Sequence, residues 1–137
     1  MKILVIDVGG THVKALATRH RKPIRIRSGS KMPADEMVRL LSEATSGWSY
    51  TVVSIGYPGP VLHDRPLSEP RNLGRGWVGF DFGKAFGCRV RMVNDAAMQA
   101  LGRYKRGRML FLGLVTGLGS ALIVNGEREP MERARLP

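Results

Sequence analysis

The stretch Leu4–Lys14, LVIDVGGTHVK, decides how the rest of the chain is read. Ile3, Leu4, Val5 and Ile6 form the apolar run of a buried strand, and the run stops at an acid, Asp7. Gly9 and Gly10 predict a reversal there, because glycine takes positive φ at little cost. After Thr11, the residues Val13, Ala15 and Ala17 alternate with polar neighbours, which is the period of a second strand. An acid, two glycine amides and a hydroxyl therefore meet at one strand-to-strand turn. A concave set of backbone N–H groups binds anions, and a carboxylate beside it can hold magnesium against phosphate oxygens. The stretch is not a P-loop: no GKS or GKT follows, and the chain returns as a strand rather than a helix. A plain glycine hairpin with a turn-stabilising aspartate would use the same residues, so the remainder of the chain must arbitrate.

At 137 residues, with 43% hydrophobic and 24% charged positions, the chain can bury a core and has ordinary globular composition. It contains neither a run of apolar residues long enough to span a bilayer nor a basic-plus-apolar leader, so a soluble cytoplasmic protein without a membrane partner is expected. Cys88 is the single cysteine; it excludes an internal disulfide and any zinc site made of several thiolates, and it reads as a small buried thiol. The net charge of +11 implies affinity for polyanions. Arg19–Lys31 and Arg103–Arg108 carry much of it, either as solvated faces or as phosphate-binding surfaces.

Outward from the opening hairpin, Ile24 and Ile26 alternate with Arg25 and Arg27 as a third strand. Ala34–Thr45 has apolar residues at helical spacing after Pro33, and Gly47 ends it. Thr51–Ile55 is a β-branched strand running into Gly56-Tyr57-Pro58-Gly59-Pro60, which cannot be helical. Leu62–Gly79 reads as a long irregular loop. A short helix over Phe80–Phe86 and a strand over Val90–Val93 follow. Asn94 and Asp95 then fall at a strand end, with Asp95 placed to cap a helix over Ala96–Tyr104. Met109–Val115 and Ser120–Asn125 form a second hairpin around Thr116-Gly117-Leu118-Gly119, and Gly126–Pro137 shows no apolar period. Two glycine-and-threonine hairpins separated by an α/β unit suggest two lobes with an anion held between their turns. Trp77, Phe80, Met92, Met98 and Met109 read as core residues.

In this order the chain resembles the ROK family of sugar kinases, within the actin-like ATPase (ribonuclease H-like) α/β fold, and in particular its polyphosphate glucokinase-type members. The carrying motifs are DVGGTHVK (Asp7–Lys14), GYPGPV (Gly56–Val61), NLGRGW (Asn72–Trp77), VNDAAMQALG (Val93–Gly102) and LVTGLGSAL (Leu114–Leu122). The resemblance implies phosphoryl transfer from polyphosphate or ATP to the 6-hydroxyl of glucose or a similar hexose. Such transfer needs positioning and charge neutralisation more than covalent help. By that resemblance, Asp7 would hold Mg2+ through water, while Gly9, Gly10, Thr11 and Lys14 bind the transferred phosphate. Thr116, Gly117 and Gly119 would meet the donor phosphates. Asp95 would be the general base, and Asn94, Gly59 and Asn72 would line the sugar pocket.

The family pattern is LGTGLGSAL at the second turn, whereas Val115 here is β-branched and resists positive φ. Beyond Asn125, Glu132 could stand for a sugar-binding glutamate, but Ala134 and Arg135 occupy the glycine and histidine places that follow it in relatives. The expected organisation is an N-terminal lobe over 1–105 and the start of a truncated second lobe over 106–137. Zinc is not expected. The second-lobe hairpin would leave an apolar sheet edge that favours homo-oligomers. The competing function is a catalytically inactive sugar- or polyanion-binding module of the same family. A nucleic-acid-binding role rests on charge alone and lacks interleaved exposed aromatics, so nucleic acid is not an expected partner.

Overall fold

The computed structural model describes residues 2–98 and, beyond them, the backbone of strands at 108–114, 118–124 and 127–129. The chain falls into two compact units, Met1–Val93 and Asn94–Pro137. Among the described residues no helix is long and apolar enough to cross a membrane.

The first unit is built on the apolar run and the alternation of the opening stretch. Strands β1 (Ile3–Val8) and β2 (His12–Ala17) pair antiparallel, with Val8 opposite Val13 next to the turn and Asp7 opposite Lys14. Strand β3 (Ile24–Arg27) continues the meander. Helix α1 (Ala34–Ala44) then carries the chain to β4 (Val52–Tyr57), which lies parallel to β1. Strand β7 (Arg89–Asn94) completes the sheet order β3-β2-β1-β4-β7. Because β1 and β4 run in parallel, Asp7 and Gly56 sit side by side at their carboxyl ends. Ligand sites of open α/β sheets lie beyond those ends.

One face of the sheet is the core. Leu4, Ile6, Val8, Val13, Val53 and Ile55 are buried there against Ala34, Met37, Val38 and Leu41 of α1. Those four recur at helical spacing, so one stripe of α1 is apolar while Arg39, Ser42 and Glu43 face water. Each fully buried aliphatic side chain contributes about 1.5–3 kcal/mol, far more than the exposed Arg39–Glu43 ion pair at 3.3 Å. The helix has no side-chain N-cap at Pro33. It ends at Thr45, ahead of the expected Gly47, where the buried hydroxyl donates to the Leu41 carbonyl at 2.7 Å.

The expected irregular loop over Leu62–Gly79 is instead ordered, and it contains a hairpin. Strands β5 (Val61–Leu62) and β6 (Arg65–Pro66) are joined by His63 and Asp64, which take φ of 50° and 62°. Positive φ at both central residues is the two-residue turn that matches strand twist. The Asp64 carboxylate accepts the Met92 N–H at 2.9 Å, which fixes the hairpin to β7. Helix α2 (Phe82–Phe86) starts at an Asp81 cap that accepts from the Lys84 N–H, and it stops at Gly87 with φ 71°.

In the second unit, residues 95–98 begin a helix, α3. Strands β8 (Arg108–Leu114), β9 (Leu118–Val124) and β10 (Glu127–Glu129) form an antiparallel sheet in the order β10-β9-β8. Gly119 lies within β9 opposite Gly113, not in the turn where the sequence put it. Strand β10 arises where no apolar period predicted one; it pairs through its backbone with β9, from Glu127 opposite Val124 to Glu129 opposite Leu122. Thr116, Gly117, Glu132, the rest of the expected helix to Tyr104 and the cations Arg103, Lys105 and Arg106 lie outside the described residues.

Candidate functional site

The turn after β1 is held from within and from β3. The Gly9 N–H donates to the His12 carbonyl at 3.1 Å. The Ser28 hydroxyl donates to the Gly9 carbonyl at 2.6 Å, and the Ser28 N–H donates to the Thr11 carbonyl at 2.9 Å. Neither Gly9 nor Gly10 takes positive φ, so the expected reason for glycine is corrected. The reason is close approach. A Cβ on Gly9 would lie 2.7 Å from the His12 carbonyl oxygen, and one on Gly10 would lie 2.9 Å from the Asn72 Cβ. Ser28 was invisible to motif reading, because it sits 19 positions from its partner and carries no local signature.

Asp7 is half-buried beside this turn, and its carboxylate has no hydrogen bond or ion pair to another described residue. Lys14 is exposed directly across from it. Thr11 is exposed at the tip.

Asn72 reaches Gly10 because its loop is tied down at several points. The Glu69 carboxylate accepts the backbone N–H groups of Gly76, Trp77 and Val78 at 3.1–3.3 Å. Trp77 is fully buried and its indole donates to the Met32 carbonyl at 3.3 Å, while the Gly74 N–H donates to the same carbonyl at 2.8 Å. The sequence reading of Trp77 as core is thus met, and Phe80 packs on the core's edge. Gly59 is buried, and a Cβ there would meet the Tyr57 ring at 3.0 Å.

Tyr57 itself is buried, and its hydroxyl donates to the Ser68 carbonyl at 2.8 Å. Burial, with the Glu69 carboxylate as a second cause, pushes its phenol well above the ordinary value near 10. A raised folded value means that the stabilisation is complete below pH about 10 and is lost as pH rises beyond it. Tyr57→Phe should cost about 1 kcal/mol at neutral pH through the lost hydrogen bond. Above pH about 10, thermal melts of the wild type should fall more steeply than those of the variant. Parallel pH profiles would sink this account.

At the end of β7, Asn94 is only 7% exposed, and its Oδ1 accepts the Ala96 N–H at 3.0 Å. That i to i+2 bond makes Asn94 the cap of α3, a role the sequence assigned to Asp95. Asp95 stands at the first helical position, half-buried, and its Oδ1 accepts the same N–H at 2.8 Å. The cap moved by one residue because the strand runs through Asn94 and the helix begins directly after it.

Clefts of about 450 and 570 Å³ lie along the β5–β6 hairpin and α2 and touch none of the expected site residues. Among the described residues no group of three or more His, Cys, Asp or Glu side chains could hold a metal ion. The structure therefore brings Asp7, Gly9, Gly10, Thr11, Lys14 and Asn72 around one turn.

No established family profile matches the chain. It is 28% identical over 144 residues to the polyphosphate glucokinase of Mycobacterium tuberculosis, covering 91% of this chain and 54% of that protein. It is 26% identical over 141 residues to the bifunctional enzyme NanE/NanK of Brucella melitensis, covering 90% of this chain and 27% of that enzyme. The crystal structure of the ROK hexokinase from Thermus thermophilus superposes with a TM-score of 0.75 at 24% identity, over 97% of this chain and 50% of that one. The chain thus spans between about a quarter and about half of the length of these proteins. Motif order, sheet order and these likenesses agree: the chain is similar to the N-terminal part of ROK-family sugar kinases and shares their actin-like ATPase fold.

Proposed function

We propose that this chain supplies the sugar-holding and phosphate-holding half of a kinase that moves a phosphoryl group from polyphosphate or ATP to the 6-hydroxyl of glucose or a similar hexose. The observation that carries the reading is the packing of Gly10 on Asn72, which leaves no room for a Cβ between the phosphate turn and the loop expected to bind sugar. An acceptor hydroxyl and a donor phosphate need such adjacency, since positioning supplies most of the rate. The M. tuberculosis relative is named for polyphosphate and glucose, which supports the same substrates here.

In this reading Gly9, Gly10, Thr11 and Lys14 bind the transferred phosphate, Thr116, Gly117 and Gly119 meet the rest of the donor, and Asn94, Gly59, Asn72 and Glu132 hold the sugar. Asp95 accepts the proton of the attacking hydroxyl while the oxygen–phosphorus bond to the sugar forms and the donor's phosphorus–oxygen bond breaks. Asp7 fits a magnesium ion: a carboxylate with no hydrogen bond or ion pair to another described residue suits a metal that keeps several waters and takes phosphate oxygens for the rest. When bound, that ion would neutralise phosphate charge. Residues 1–105 act as the first lobe and 106–137 begin the second, in the cytoplasm. The β8 edge favours self-association, which light scattering at high concentration would test; a clean monomer counts against it.

The test is a coupled assay for glucose 6-phosphate with glucose, magnesium and either polyphosphate or ATP. Turnover with either donor is the expected result. Absence of turnover with both, alongside retained phosphate binding, would replace the kinase by the inactive binding module.

A further inference from the structure

Beside Lys14, which the phosphoryl-transfer reading places at the transferred phosphate, the outer face of β2 and β3 carries charge that this reading leaves unused. Lys14 lies directly opposite Arg25, and His12 directly opposite Arg27. Lys14, Arg25 and Arg27 are exposed, whereas Val13 and Ala15 between them turn into the core. Neighbours across an antiparallel pair stand about 5 Å apart on the same face, and like charges so placed repel. Among the described residues the ion pairs are Arg39–Glu43 and Arg91–Asp64, and neither involves these cations. Asp7 opposes Lys14 from the other side without pairing with it. Exposed Arg21 and Lys22 extend the basic surface into the turn between the strands. The strip so formed runs the length of β2, about 17 Å by strand rise, and ends at the turn of residues 9–11. Cations kept side by side without a carboxylate retain a repulsion that an external polyanion removes.

We propose that this face is a track for the body of an inorganic polyphosphate chain whose terminal phosphate lies at the turn of residues 9–11; the proposal rests on the phosphoryl-donor reading above. A chain with charge on every phosphate can answer cations at any spacing along the strands, which a single nucleotide is too short to do. Single-stranded nucleic acid fits less well. Among the described residues the large exposed apolar side chains are Val5, Leu16, Leu62, Leu67 and Val78, with no aromatic among them on which bases could stack.

The test titrates the 137-residue chain with long-chain polyphosphate and with pyrophosphate across a range of salt concentrations. Arg25→Ala/Arg27→Ala should weaken long-chain binding by about tenfold and reduce its salt slope by about 1.4, at roughly 0.7 per cation lost. Pyrophosphate affinity should not change. Arg39→Ala/Lys84→Ala removes the same charge from helices away from the strip and should change neither quantity. Equal long-chain affinity in the two double variants overturns the track, as does single-stranded DNA binding as tightly as polyphosphate and losing as much in the strip variant. A wild type that binds pyrophosphate with no long-chain advantage sinks the track alone. Failure to bind either phosphate sinks the donor reading beneath it.

Discussion

Asp95→Asn is expected to lower glucose turnover by about 10²–10⁴-fold, the usual contribution of a positioned general base. The substitution is informative because it should leave the fold alone. An amide keeps the Oδ1 that accepts the Ala96 N–H at 2.8 Å, and Asn94 Oδ1 accepts the same N–H at 3.0 Å. Binding of sugar and polyphosphate should therefore survive while the rate falls, so the loss appears in kcat and not in KM. Asn94→Ala provides the contrast. It removes the cap of α3 and a nearly buried amide, costing about 1 kcal/mol of stability and weakening sugar binding. A variant at position 95 that turns over at the wild-type rate would remove Asp95 from the chemistry and leave it a helix-terminus residue. A rate loss accompanied by a comparable drop in melting temperature would point the same way.

The order of the elements was legible because it follows from period alone. An apolar run marked β1, alternation marked β2, and the spacing of Met37, Val38 and Leu41 marked α1. What escaped was everything fixed by contacts across long separations. The β5–β6 turn is His63-Asp64 rather than an Asn-Gly or Asp-Gly pair, and its positive φ is maintained by Asp64 reaching Met92, 28 residues away. Glu69 gave no signal, since a carboxylate that collects three backbone N–H groups from residues 76–78 is defined by loop shape and not by spacing. Gly9 and Gly10 were identified as special for the wrong reason. Their need is space against His12 and Asn72, which only the packed chain reveals. The candidate site was named by residue type through family resemblance, and the structure brings together the candidates around the turn of residues 9–11.

Trp77→Ala should be the most destabilising single change in the first unit, by about 3–5 kcal/mol. That is a large share of the 5–15 kcal/mol that holds a typical domain together. Trp77 is fully buried, lies 5.9 Å from the Tyr57 ring and 6.2 Å from Phe82 between centroids, and donates to the Met32 carbonyl. Its loss opens a cavity and withdraws one of the two donors from that carbonyl; the other is the Gly74 N–H. Because the same loop presents Asn72 to Gly10, phosphate and sugar affinity should fall with stability rather than independently of it. Trp77→Phe separates the two terms: it refills most of the volume but cannot donate, and should cost about 1–3 kcal/mol. Gly74→Ala attacks the same joint from the backbone side. Its Cβ would lie 2.7 Å from the Lys31 carbonyl oxygen, where neither group is a flexible side-chain end, so about 1–3 kcal/mol of strain is expected. Chemical denaturation of the three variants measures the order directly. If Trp77→Ala unfolds within about 1 kcal/mol of the wild type, the loop does not hold the core, and the placement of Asn72 must come from elsewhere.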